Sequence, residues 1–171
     1  PRCSEFETTE HVVLCQAPNA QRQWDAMITK LTQWLTKAMT LPEIQHAIIK
    51  RIQAWRNQDE ILTEPAYKWP GLNTLVRTQD AVGWKAFLEG AVLKEWAAKQ
   101  QEYYDWLQQR NTGKRWITQL IAKLWEILWN MWEQCNGESK NPASPAILRE
   151  HKRLDAIMTR EYNDLTTLTI R

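Results

Sequence analysis

Between Lys114 and Cys135, apolar residues recur at spacings of three and four: Ile117, Leu120, Ile121, Leu124, Leu128, Met131, Trp132 and Cys135. That period is helical and fits no strand. Trp116, Trp125, Ile127 and Trp129 add apolar surface on other sides of the same segment. A helix that is apolar around most of its girth belongs at the centre of a fold. Lys123 and Glu126 interrupt it, and no charge-free apolar run elsewhere approaches the roughly 20 residues of a membrane span. The rest of the chain must therefore wrap around this helix.

The chain can do so with helices. Gly 5 and Pro 7 are few among 171 residues, where average usage gives about 20, so a turn-rich β-sandwich is excluded. Trp24, Met27, Ile28, Leu31, Leu35 and Met39 form one stripe, with Asn19 as its N-cap after Pro18. Thr40-Leu41-Pro42-Glu43 reads as a capping box for a helix carrying Ile44, Ile48, Ile52 and Trp55. Residues 58–71 contain Pro65, Pro70 and Gly71 and lose all period; Tyr67 and Trp69 pin this connection to the core. Leu72, Leu75, Val76 and Gln79 start a short helix ending at Gly83, and Trp84, Phe87 and Leu88 form a brief apolar turn closed by Gly90. A helix from about Val92 to Arg110 has Trp96, Tyr103, Trp106 and Leu107 on its apolar side. Thr112 caps the central helix, Asn136-Gly137 stops it, and Ser144-Pro145 opens a last, highly charged helix. The expected fold is all-α: an irregular bundle of five to seven helices around the Trp-rich Lys114–Cys135 helix. It divides into a Cys/His segment at 1–17, a helical domain at 18–136, a linker at 137–144 and a C-terminal helix at 145–171.

Lys+Arg 22 against Asp+Glu 20 leaves a net charge of +2, too balanced to mark a nucleic-acid binder by charge alone. Residue 1 is Pro and no signal peptide follows, so the chain reads as part of a longer one. Three cysteines, an odd count without secretory features, favour a reduced intracellular setting over a disulfide scaffold.

Two of those cysteines carry chemistry. Cys3, His11 and Cys15 lie within thirteen residues. A turn capped by Thr8 or Thr9 places His11 and Cys15, four apart, on one face. Thiolate and imidazole are the ligands of structural zinc, which needs four; a Cys just before Pro1 would complete a Cys-x2-Cys-x7-His-x3-Cys knuckle. The alternative is a chance cluster, with Cys15 in the core and His11 on the surface. No His-Glu-x-x-His pattern supports catalytic zinc. A second cluster, Arg110, Lys114 and Arg115, surrounds a helix start with Trp116 beside it. Basic groups next to an aromatic plate can hold RNA or single-stranded DNA, but a solvated turn with Trp116 facing the core is the favoured reading. Cys135 with His151 is better read as an inert buried thiol than as a nucleophile and base.

Catalysis by these residues alone is not expected. The glycines are isolated, and Asp25, Asp59, Asp80, Asp105, Asp155 and Asp164 fall on different elements, whereas two-metal chemistry needs clustered carboxylates. Trp 11 against Phe 2 is the compositional anomaly. Core packing is the default for Trp24, Trp34, Trp55, Trp84, Trp96, Trp106, Trp125 and Trp132, and any excess left outside the core marks an interface.

Three features together carry a resemblance: the Cys3/His11/Cys15 cluster, the Gly83-Trp84…Phe87-Leu88…Gly90…Trp96…Gln100 run, and Thr112-Gly113-Lys114-Arg115-Trp116 followed by Leu124-Trp125…Trp129…Trp132. From Cys3 to Asn136 the chain resembles the region downstream of the polymerase domain in reverse-transcriptase-like open reading frames of mobile elements, especially those abundant in algal genomes. The match departs from the pattern at Cys135-Asn136, where Arg-Asn is usual. The resemblance implies a non-catalytic, zinc-bearing accessory or scaffold segment beside a polymerase, associated with nucleic acid and with the remainder of a larger chain. The alternative is a helical protein-interaction module unrelated to nucleic acid.

Overall fold

The computed structural model describes residues 9–16, 18–59, 66–140, 148–149, 152–158 and 160, with backbone alone at Thr9 and 134–140. The described residues are helices and connections, with no strand among them. In order they are α1 (Thr9–Leu14), α2 (Pro18–Lys37), α3 (Pro42–Asn57), α4 (Leu72–Val82), α5 (Trp84–Leu88), α6 (Glu95–Trp106) and α7 (Gly113–Lys140). A further helical stretch covers 152–158. No helix among the described residues is long and apolar enough to cross a membrane.

The longest helix, α7, is the hub: it packs against α6, α1, α2 and α5, while α3 leans on α2 and α4 on α5 and α6. Its inward stripe is Trp116, Leu120, Leu124, Ile127 and Met131, all buried. The expected stripe is thus shifted round the helix: Trp116 and Ile127 point inward, and Trp132 outward. From α2 come Trp24, Met27, Ile28, Leu31 and Leu35, and from α3 Ile44, Ile48 and Ile52. Gly113 permits the closest approach, because a Cβ there would lie 1.9 Å from the Ala97 carbonyl oxygen on α6.

Polar side chains lock the corners. Between α2 and α3 the chain reverses through Met39, at φ +50°. The Tyr104 hydroxyl donates to the Ala38 carbonyl at 2.6 Å, and the Gln100 amide donates to Met39 O at 3.0 Å while accepting from Leu41 N–H at 2.9 Å. The Trp116 indole N–H donates to the Thr40 hydroxyl at 2.9 Å. Gln79 acts similarly, accepting from Leu93 N–H and Trp96 Nε1–H and donating to Ala91 O. Every buried side-chain nitrogen and oxygen among the described residues has a partner, as a well-formed interior requires.

Several local expectations change. Thr40 and Glu43 form no capping box: α3 starts at Pro42 with no side-chain cap, Thr40 serves Trp116, and the Glu43 carboxylate accepts from Lys68 N–H and Trp69 N–H. That pair of bonds, with buried Tyr67, fixes the connection ahead of α4. α2 begins at Pro18, so Asn19 sits inside its first turn and is not the cap. Met39 lies past the end of α2 and is exposed. On α6 the buried face is Trp96, Gln100 and Tyr104, leaving Trp106 69% exposed. Finally, α7 runs through Asn136-Gly137 to Lys140; an internal glycine costs only about 1 kcal/mol and does not oblige a helix to stop. The expected linker at 137–144 therefore starts as helix.

Candidate functional site

Helical geometry gives α7 a second stripe. Trp125, Trp129 and Trp132 stand at i, i+4 and i+7 and project away from the core, 57%, 57% and 43% exposed. Trp125 is held at one edge: its ring lies over Gly90, where a Cβ would come within 2.9 Å of Nε1, and its N–H donates to the Glu89 carbonyl at 3.0 Å. Trp129 and Trp132 pack on each other with ring centroids 5.1 Å apart. Glu126 and Glu133, exposed, flank Trp129 at i−3 and i+4, and Glu126 is paired with Lys123 at 2.7 Å. Indoles in water on one face are the residues most enriched at binding hot spots. Scattered apolar residues need no such explanation, but a contiguous patch does.

The nucleic-acid residues expected from sequence lie elsewhere. Arg110, Lys114 and Arg115 are exposed around the α6–α7 turn. Thr112 caps α7 there, its hydroxyl accepting from Arg115 N–H at 3.2 Å. Trp116 is no stacking plate: it is 2% exposed, with its N–H spent on Thr40.

At the Cys/His cluster, one further helical bond closes the end of α1, from Cys15 N–H to His11 O at 2.8 Å. This puts His11 and Cys15 four residues apart on one helical face, both half-buried, while Val12 and Val13 face the core. Arg56, buried on α3, terminates the segment: it donates to Val13 O at 2.9 Å, Cys15 O at 3.1 Å and Gln21 Oε1 at 2.6 Å, and lies 4.8 Å from the Trp24 ring centroid. Burial pulls the Arg56 guanidinium below its ordinary pKa, with Asp25 and then Cys15 opposing. Cys3 and His151 lie outside the described residues, as does the side chain of Cys135. Among the described residues no three His, Cys, Asp or Glu side chains gather as a metal site. The imidazole of His11 and the thiol of Cys15 are donor types that zinc accepts, and on this shared face they would be two of the four ligands a structural site needs.

An open cleft of about 410 Å³ runs between α2 and α7, lined by Arg22, Lys30, Met27 and Met131 among others. Asp80, which sequence alone leaves unassigned, is structural: it pairs with the buried Arg51 at 3.2 Å and accepts from Trp84 Nε1–H at 2.7 Å.

Comparison with family models, curated proteins and solved structures found no match for this chain.

Core packing, the default expectation for Trp125 and Trp132, does not hold: both rings face solvent together with Trp129. The signal was present: with Leu120, Leu124 and Met131 inward, Trp125 and Trp129 fall on the far side of a 3.6-residue helix. Trp125, Trp129 and Trp132 are thus the indoles of α7 left outside the core.

Proposed function

We propose that this chain is a non-catalytic accessory or scaffold segment of a larger reverse-transcriptase-like protein, and that it acts by docking the outer face of α7 onto a protein surface. The observation that carries this reading is the tryptophan stripe at 125, 129 and 132, solvent-facing on a helix whose other side holds the core together. Cys3, His11 and Cys15 belong in this reading to a structural zinc turn that stiffens the entry to α2. A second reading, contact with RNA or single-stranded DNA, draws on the exposure of Arg110, Lys114 and Arg115 at one turn.

Titration of a labelled single-stranded RNA across salt concentrations separates the two. Each phosphate contact adds roughly 0.7 to the slope of log K against log salt on a single strand. The docking reading expects weak binding that Lys114→Ala and Arg115→Ala leave unchanged. A steep slope that falls by about 0.7 with each of these substitutions selects the nucleic-acid reading.

A further inference from the structure

The docking reading leaves the cleft between α2 and α7 unused. Its volume of about 410 Å³ falls in the range of small-molecule sites, roughly 300–1,000 Å³. Met27, Ile127 and Met131, all buried, make its floor. Asn19, Gln23 and Asn130 bring three carboxamides to its walls, and Arg22 and Lys30 bring two cations. None of the described residues that line it is acidic. Arg22 donates to the Asn19 side-chain oxygen, a neutral acceptor, and neither Arg22 nor Lys30 enters an ion pair among the described residues. The helices around the cleft do not cancel these charges. α2 carries Arg22, Lys30 and Lys37 against Asp25 alone. Asp25 lies on another face, where it accepts from the Gln21 amide at 3.0 Å and its charge favours the Arg56 cation. α7 carries Lys114, Arg115, Lys123 and Lys140 against Glu126, Glu133 and Glu138, with Glu126 held by Lys123 at 2.7 Å.

We propose that this cleft binds a small organic anion with a hydrogen-bonding body, of the class of a nucleoside monophosphate. Charge complementarity selects the anion: a phosphate monoester carries about −1.5 to −2 charge at neutral pH, and the guanidinium fork grips it bidentately. Lys30, two turns or about 12 Å farther along α2, extends the positive potential over the rest of the cleft. The carboxamides select the body. Each one donates and accepts, which matches the edge of a base or a sugar and which a hydrocarbon chain leaves unpaired. The soft thioethers of Met27 and Met131 adapt to a flat ring laid on them. This inference goes beyond the docking reading and does not rest on it.

Isotope-labelled methionine methyl groups report the test by NMR in the full chain. Met27 and Met131 line the cleft, whereas Met39 and Met158 are exposed and do not line it. Adenosine monophosphate is the probe, with inorganic phosphate for the head alone and dodecanoate for an anion with an apolar body. The nucleotide should shift Met27 and Met131 saturably, with Kd at or below about 1 mM, and leave Met39 and Met158 in place. Arg22→Gln with Lys30→Gln, both at exposed positions and with Tm confirming the fold, should weaken binding at least about tenfold, as loss of charge-assisted hydrogen bonds does. Trp129→Ala with Trp132→Ala should bind the nucleotide like wild type, which separates this result from the docking reading. A nucleotide that moves neither floor methyl, or that binds the Arg22/Lys30 variant as tightly as wild type, overturns the proposal. So does inorganic phosphate or dodecanoate that saturates the floor methyls as tightly as the nucleotide, since the hydrogen-bonding body would then contribute nothing.

Discussion

The indole N–H of Trp116 donates to the hydroxyl of Thr40, 76 positions away in the sequence, at 2.9 Å inside the core. This bond joins the first turn of the hub helix to the reversal between α2 and α3, and both residues are buried. It also fixes the role of Trp116, which holds the fold together from within. Thr40→Val keeps the volume of the side chain and removes the acceptor. We expect a loss of about 1–3 kcal/mol, the cost of an unsatisfied buried donor, read as a lower denaturant midpoint. An unchanged midpoint would mean that the indole finds water or another acceptor.

Gln100 holds the same reversal with both ends of its amide, through Met39 O and Leu41 N. Gln100→Leu retains the bulk but orphans both backbone groups. Stability should fall by more than for Thr40→Val, by about 1–3 kcal/mol for each group left unpaired. Amide hydrogen exchange at Leu41 gives a local readout: its protection should drop in the variant, and unaltered protection would contradict the clamp.

Leu124, fully buried in the middle of α7, tests the hub itself. Leu124→Ala should cost about 2–5 kcal/mol, the usual range for an enclosed leucine. A loss below about 1 kcal/mol is the signature of a surface position and would displace α7 from the centre.

Burial raises the Tyr104 phenol above its ordinary pKa, with its hydrogen bond to Gln100 opposing. The folded state therefore favours the neutral phenol more than the unfolded chain does. That contribution is complete below the unfolded value near 10 and fades as pH rises through the folded one, so stability should decline on the alkaline side. Chemical denaturation from pH 8 to above about 10 checks the sign, and Tyr104→Phe should flatten the decline. An equally steep decline in that variant would assign it to other groups.

For the zinc turn, cobalt is a spectroscopic stand-in for the metal. Titration of the reduced chain with Co²⁺ should develop a thiolate-to-metal charge-transfer band, weakened by Cys3→Ser, His11→Ala or Cys15→Ser, because ligation needs the deprotonated sulfur and the neutral imidazole. The band should strengthen when a Cys is added immediately before Pro1 to complete the knuckle, and its absence from that extended chain would make the cluster a coincidence of spacing.

Much of the architecture was legible because period and punctuation are local properties. The stripe on α2, the stop at Gly83, the closure at Gly90 and the cap at Thr112 all follow from residues within a few positions of one another. What escaped was set by distant partners. Thr40 and Glu43 have the right types and spacing for a capping box, yet the buried indole of Trp116 and the amides of Lys68 and Trp69 claim them. Nothing local to Arg51 and Arg56 signals their burial, which Asp80, Gln21, Trp24 and the carbonyls ending α1 accommodate from other elements. The candidate face was half legible: eleven tryptophans exceed what one core needs, but which ones are left over depends on the rotation of α7, which its neighbours set.

The division of labour among those tryptophans is the central claim, and thermal melting of two variants tests it most directly. Trp116→Ala should lower Tm steeply, since opening the core at a large aromatic costs about 3–5 kcal/mol and each kcal/mol is worth roughly 2–4 °C at this chain length. Trp129→Ala with Trp132→Ala should leave Tm within a few degrees of wild type, because both rings face solvent. A double variant that melts as far below wild type as Trp116→Ala would place the outer stripe in the core and contradict the account.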